Sequence, residues 1–169
     1  MQLHDSSLLR QQALLNGQWL DADNGASYAV INPANGQRLT SVPDMGAGET
    51  RRAIDAAAAA WRTWRNTTTR ERARLLRAWF ELILQHQDDL ALLLTHEQGK
   101  PLAEARAEVL YGASFVEWFA EEARRANGQI IPAPQGDKRI LVLKQPVGVV
   151  AAITPWNFPI AMVTRKLAP

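Results

Sequence analysis

A chain of 169 residues, 47% of them apolar and 21% charged, is long enough to bury one hydrophobic core and has the balance of an ordinary globular protein. Its net charge of +2, from 19 basic and 17 acidic residues, argues against a nucleic-acid or anionic-membrane surface. It has no cysteine, which excludes a disulfide framework, a thiolate metal site and a thiol nucleophile within these residues.

Met1 to Asn16 mixes Leu8 and Leu9 with Asp5, Arg10, Gln11 and Gln12, so it lacks the apolar core of a signal peptide. No stretch approaches the ~20 apolar residues of a membrane span. The expectation is a cytoplasmic protein. Leu14-Leu15-Asn16-Gly17-Gln18-Trp19-Leu20 places Asn-Gly between apolar residues, the signal of a tight hairpin. Tyr28 to Pro33 and Gln37 to Val42 read as further short strands, followed by a loop over Pro43 to Gly48.

From Glu49 the pattern becomes helical. Ala53, Ile54, Ala57, Trp61 and Trp64 recur at steps of three and four residues and share one face. Thr68 and Glu71 have the form of a capping box, and Leu75, Leu76, Trp79, Leu82, Ile83, Leu90, Leu93 and Leu94 predict one long second helix ending at Gly99. Pro101 opens a third helix with Leu102, Ala105, Val109, Ala113, Val116 and Ala120 facing inward, and Asn127-Gly128 stops it.

Ile131 to Gly136 reads as a link and Arg139 to Gln145 as an apolar strand. The uninterrupted apolar run from Gly148 to Ile153 suits a strand covered on both faces, as in a parallel sheet. Thr154 to Pro159 is then a turn, and Pro159 the first residue of a helix running to the end. Strand, turn and helix make half of a βαβ unit, and the chain stops inside that helix at Pro169, so a fragment is expected. The fold class is α/β.

Ligands of open α/β sheets bind at the carboxyl ends of strands, which makes the Thr154 to Pro159 turn the site candidate. The three-glycine dinucleotide fingerprint occurs nowhere. Asn157, between Trp156 and Phe158, could donate its amide to a developing oxyanion, or simply bond its own turn backbone. Phe158, Met162 and Arg165 lie at helical steps, so their face offers an aromatic, a thioether and a guanidinium suited to a carboxylate, or else a core stripe with a solvated arginine. His4, His86 and His96 lack metal-ligand spacing, and no metal is expected. The arginines at 70, 72, 74 and 77 read as a solvated helix face.

Ile153-Thr154-Pro155-Trp156-Asn157-Phe158-Pro159 resembles the Pro-Trp-Asn-Phe-Pro signature of the aldehyde dehydrogenase superfamily. The resemblance is supported, in family order, by Leu15-Asn16-Gly17-Gln18-Trp19, Asn32-Pro33-Ala34-Asn35-Gly36, Glu97-Gln98-Gly99-Lys100-Pro101-Leu102 and Lys144-Gln145-Pro146-Val147-Gly148, and it covers essentially the whole chain. Phe119-Ala120-Glu121-Glu122 and Met162-Val163-Thr164-Arg165-Lys166 are most similar to the succinate-semialdehyde dehydrogenases.

The resemblance implies NAD- or NADP-dependent oxidation of succinate semialdehyde, or of a related short aldehyde acid, by a homo-oligomeric parent enzyme. It implies that Asn157 donates to the oxyanion. Ile153, Thr154, Pro155 and Trp156 line the cofactor cleft, Phe158 and Met162 wall the aldehyde tunnel, and Arg165 pairs with the substrate carboxylate. It divides the chain into 1–136, the N-terminal strands and helices of the cofactor-binding domain; 137–147, an oligomerisation strand; and 148–169, the first β-α unit of the nucleotide-binding sheet. The family's cysteine nucleophile, glutamate base and ribose-holding lysine lie beyond the equivalent of Pro169, so this chain alone is expected to be inactive. The alternative is a non-enzymatic module that docks on intact family subunits.

Overall fold

The Asn16-Gly17 turn forms as the dipeptide predicts: both residues take positive φ, 50° and 77°, which turns β1 (Ala13–Leu15) back along β2 (Gln18–Leu20). The computed structural model describes residues 1–169. A second antiparallel pair follows, β3 (Ser27–Ile31) and β4 (Arg38–Pro43), with an irregularity at Val30/Ile31. The loop between them is organised by buried Asn32, whose carbonyl accepts from Gly36 N (2.8 Å) and whose amide nitrogen meets His96 Nδ1 (3.2 Å).

Five helices carry the rest of the fold: α1 (Ala47–Trp64), α2 (Thr69–Gln85), α3 (Gln87–Gln98), α4 (Leu102–Glu122) and α5 (Pro159–Leu167). The Thr68 cap is present, its side chain accepting from Glu71 N. α4 is the centre of the bundle and packs against α2, α3 and α5. The core joins Ile83, Ala91 and Leu94 to Ala105, Val109, Ala113 and Val116 of α4, and to Ala168 just past α5. The inward face of α4 is the one its periodicity predicts. Small residues along it let the neighbouring helices approach closely.

The helix expected over residues 68–99 is two helices. His86 leaves helical geometry (φ −103°, ψ 19°) and serves as the end of α2 and the start of α3. The cause is tertiary: Asp89, in the first turn of α3, accepts from His4 N (2.9 Å) and Asp5 N (2.8 Å), and so fastens that turn to the N-terminal arm.

α1 adds nothing to the core, and its expected inward residues Ile54 and Trp64 are 53% and 48% exposed. Polar contacts hold its ends instead. Arg52 pairs with Asp23 through two bonds (2.6 and 2.8 Å), and Arg72 donates to the carbonyls of Trp64 and Arg65 (3.0 and 3.2 Å).

Past α4 a 3₁₀ turn (Ala123–Arg125) ends the helical run ahead of Asn127. Just ahead of the segment read as a link, and ending on its first residue Ile131, lies a strand not expected there, β5 (Gln129–Ile131), paired antiparallel with β6 (Ile140–Val142), which lies within the expected strand. Residues 148–153, expected as a buried strand, join no ladder, and 149–153 are exposed, because no other strand of the chain lies beside them. An apolar strand needs partners for its backbone and covers for both faces, and here it has neither. No helix is long and apolar enough to cross a membrane.

Candidate functional site

Pro159 is the first residue of α5, where its fixed φ suits a helix and its missing N–H would have had no partner. The next two N–H groups still need acceptors, and the preceding Phe158 supplies no side-chain cap. The acceptor comes from another helix. Glu108 Oε1, on α4, receives Ile160 N at 3.0 Å and Ala161 N at 3.5 Å, while its Oε2 forms an ion pair with Lys100 Nζ. The two side chains are only 1% and 10% exposed.

Lys100 extends this anchor to the turn. Its ammonium donates to the backbone carbonyl of Asn157 at 3.0 Å and lies 4.2 Å from the centroid of the Phe158 ring, a cation–π contact. The Asn157 side chain is exposed and makes no hydrogen bond, so it does not bond its own turn backbone, the other role open to it from the sequence alone. Its amide is available to a ligand.

Further along α5, half-buried Met162 and exposed Arg165 are together: Arg165 Nη1 is 3.9 Å from Met162 Sδ, and the guanidinium lies 5.3 Å from the Phe115 ring on α4. Phe115 stacks edge-on with Tyr111 at 4.8 Å. No carboxylate of the chain pairs with Arg165, which leaves its planar fork open to an anion. The structure therefore makes two small groups, Asn157 with Phe158 over Lys100, and Met162 with Arg165 over Phe115, joined by α5.

Ile153, Thr154, Pro155 and Trp156 lead into the turn. Ile153 and Trp156 are 86% and 78% exposed, and Thr154 is half-buried. The segment offers uncovered apolar area and unpaired backbone groups side by side, which fits one wall for a flat, partly polar cofactor. The opposite face of α5 borders a separate apolar cleft of about 480 Å³ lined by Leu8, Trp79, Leu82, Ile83 and Val163.

Sequence reasoning missed Lys100, Glu108, Phe115 and Tyr111. A signal for Glu108 existed: it lies three residues after Ala105 and four before Gly112, on the inward face of α4, where a carboxylate must find a partner. That the partners are Lys100 and the start of α5 could come only from the fold.

A model described as the aldehyde dehydrogenase family matches residues 19–169. Over all 169 residues the chain is 64% identical to the succinate-semialdehyde dehydrogenase [NADP(+)] of Escherichia coli (strain K12) and covers 35% of it. It is 62% identical to a glutarate-semialdehyde dehydrogenase of Pseudomonas putida, again over the whole chain and 35% of the relative. It also superposes on the crystal structure of an NADP-dependent enzyme from E. coli with a TM-score of 0.96 at 64% identity, covering 98% of this chain and 34% of that one. The chain thus spans about a third of the length of the relatives it matches.

Proposed function

The chain belongs to the aldehyde dehydrogenase family, and from that premise we propose that the whole enzyme oxidises succinate semialdehyde, or a related short aldehyde acid, to the carboxylic acid with NAD or NADP. The observation that carries this reading is the free amide of Asn157 in a turn whose backbone is pinned. A donor held this way suits charge that develops during reaction, because it needs no reorganisation when the charge appears. Asn157 donates to the oxyanion formed as a thiolate adds to the aldehyde carbon. These residues contain no thiol, so the 169-residue chain alone does not turn over.

Phe158 and Met162 form apolar walls for the short carbon chain, and Arg165 receives the far carboxylate through two parallel N–H donors. Ile153, Thr154, Pro155 and Trp156 hold the cofactor, which when bound supplies the acceptor for the aldehyde's hydride. Both named relatives act, by their names, on semialdehydes of dicarboxylic acids, which agrees with an anion clamp.

Replacing Arg165 with Leu in the full-length enzyme tests the clamp. Loss of a hydrogen bond to a charged group costs about 1.5–3 kcal/mol, so kcat/KM for succinate semialdehyde falls roughly 10- to 150-fold while a neutral aldehyde of the same length is oxidised as before. An equal fall for both aldehydes would remove Arg165 from substrate recognition.

A second assignment concerns residues 137–147, which we place in contacts between subunits of a homo-oligomer. It is favoured by the exposure of apolar side chains on the β5–β6 ribbon and just past it, where Leu141 and Leu143 are 65% and 75% exposed.

A further inference from the structure

We propose that Lys100 and Glu108 are a positioning pair that sets the orientation of the Asn157 amide; this rests on Asn157 being the oxyanion donor. From Lys144 to Asn157 the chain makes no backbone–backbone hydrogen bond, and the bond from Lys100 Nζ to Asn157 O is the one hydrogen bond that ties this stretch down. With Ile153 and Trp156 open to solvent, apolar packing does not hold it either.

The pair contacts a bracket of backbone groups around the site. Lys100 takes the carbonyl of Asn157 on one side of Pro159, and Glu108 takes the N–H groups of Ile160 and Ala161 on the other. The Phe158 ring between them lies against the same ammonium. Fixing the carbonyl of Asn157 and the start of α5 sets the point and direction from which the Asn157 side chain leaves the backbone, and it spends none of the side chain's own hydrogen bonds.

Stability alone does not explain so costly an arrangement. Burying an ion pair forfeits hydration that the attraction often fails to recover, and apolar residues of similar volume commonly serve a core as well. What an apolar pair cannot do is hold a carbonyl and two N–H groups at defined points of an irregular turn. Oxyanion stabilisation depends on such placement, since a misplacement of about 1 Å can cost on the order of 10²-fold in rate. Neither side chain needs to touch the substrate.

The test is a double-mutant cycle in a full-length dehydrogenase carrying these residues. Removal of an oxyanion donor by Asn157→Ala lowers kcat about 10²- to 10³-fold. Lys100→Met, which keeps the stem and loses the donors, lowers kcat roughly tenfold or more with KM for the aldehyde nearly unchanged, and Lys100→Arg restores most of it. In the double variant the two losses do not multiply, because Lys100 acts through Asn157.

Unchanged kcat in Lys100→Met, or losses that multiply, would overturn the proposal. Should that variant fail to fold, Glu108→Gln takes its place in the same cycle, since it keeps an acceptor for Ile160 N but releases the ammonium. If Asn157→Ala leaves kcat intact, the oxyanion reading falls, and the positioning claim is then decided in the full-length enzyme by hydrogen–deuterium exchange of the amides from Phe158 to Ala161. Faster exchange there on Lys100→Met supports it, and an unchanged rate refutes it.

Discussion

Gly112 shows how tightly α4 and α5 meet beside the site. A methyl group placed there would lie 2.8 Å from Ile160 Cγ2, 3.3 Å from Thr164 Oγ1 and 3.4 Å from the Ala161 backbone. Ile160 cannot step aside easily, because it is β-branched and its own N–H is held by Glu108. In an open helix, Gly→Ala would gain about 1 kcal/mol, but overpacking a close contact costs roughly 1–3 kcal/mol. Gly112→Ala is therefore expected to lower stability by up to about 2 kcal/mol, read as a fall in the urea midpoint. A raised midpoint would mean that α5 can slide outward, and that the Asn157 turn is held less firmly than the Lys100 and Glu108 contacts imply.

The buried carboxylates show how elements are joined where secondary structure gives out. Glu49, Asp89 and Glu108 are the buried acidic residues, and each stands on a helix and receives backbone N–H groups from a segment outside that helix. Glu49 takes Asp23 N and Gly46 N at 2.9 and 3.0 Å, which fixes the start of α1 against the loop after β2. These bonds hold the Glu49 carboxyl below the ordinary glutamate range, chiefly the one from Asp23 N, and Asp89 is lowered by the N–H groups of Asp5 and then His4. A carboxyl with a lowered folded-state pKa contributes stability that is complete above its unfolded value, about 4.3 for Glu, and is lost as pH falls through the folded value. The amide resonances of Asp23 and Gly46 should thus titrate together with a midpoint below that value, and Glu49→Gln should abolish the transition; a midpoint at or above about 4.3 would contradict the clamp. Such joints are what the sequence hides. The hairpin at Asn16-Gly17, the cap at Thr68, the α4 stripe and the start of α5 at Pro159 are local chemistry, and each could be read from neighbouring residues. Asn157, Met162 and Arg165, the residues of the proposed site, are likewise close along the chain. The break at His86 depends on His4 and Asp5, some eighty residues away, and the anchoring of Asn157 depends on Lys100, so neither leaves a periodic mark.

At the scale of the molecule, surface area is the informative quantity. A compact monomer of 18.8 kDa would expose about 8,300 Å², whereas this chain exposes 11961 Å² and buries 20 of its 169 residues. Much of the excess is apolar and lies between Gln129 and Trp156. On the β5–β6 ribbon Ile130 faces Leu141 across the pair, and the two are 82% and 65% exposed; beyond it Val147, Val150 and Ile153 are 92%, 71% and 86% exposed. A two-stranded ribbon with free edges is at best marginal in water and invites pairing with another chain. None of these side chains belongs to the helical core, so association and folding can be separated. The 169-residue chain is expected to self-associate as its concentration rises, detected by light scattering on a sizing column. Ile130→Lys with Leu141→Lys should shift it towards the monomer, because opposed like charges on one face repel, while the helical circular dichroism stays the same. If the unsubstituted chain is a monomer throughout, the ribbon is not a contact surface between copies and the assignment of residues 137–147 to subunit pairing fails. If the substituted chain loses its helices, the ribbon supports the bundle itself, and its exposed face must be counted as part of the fold.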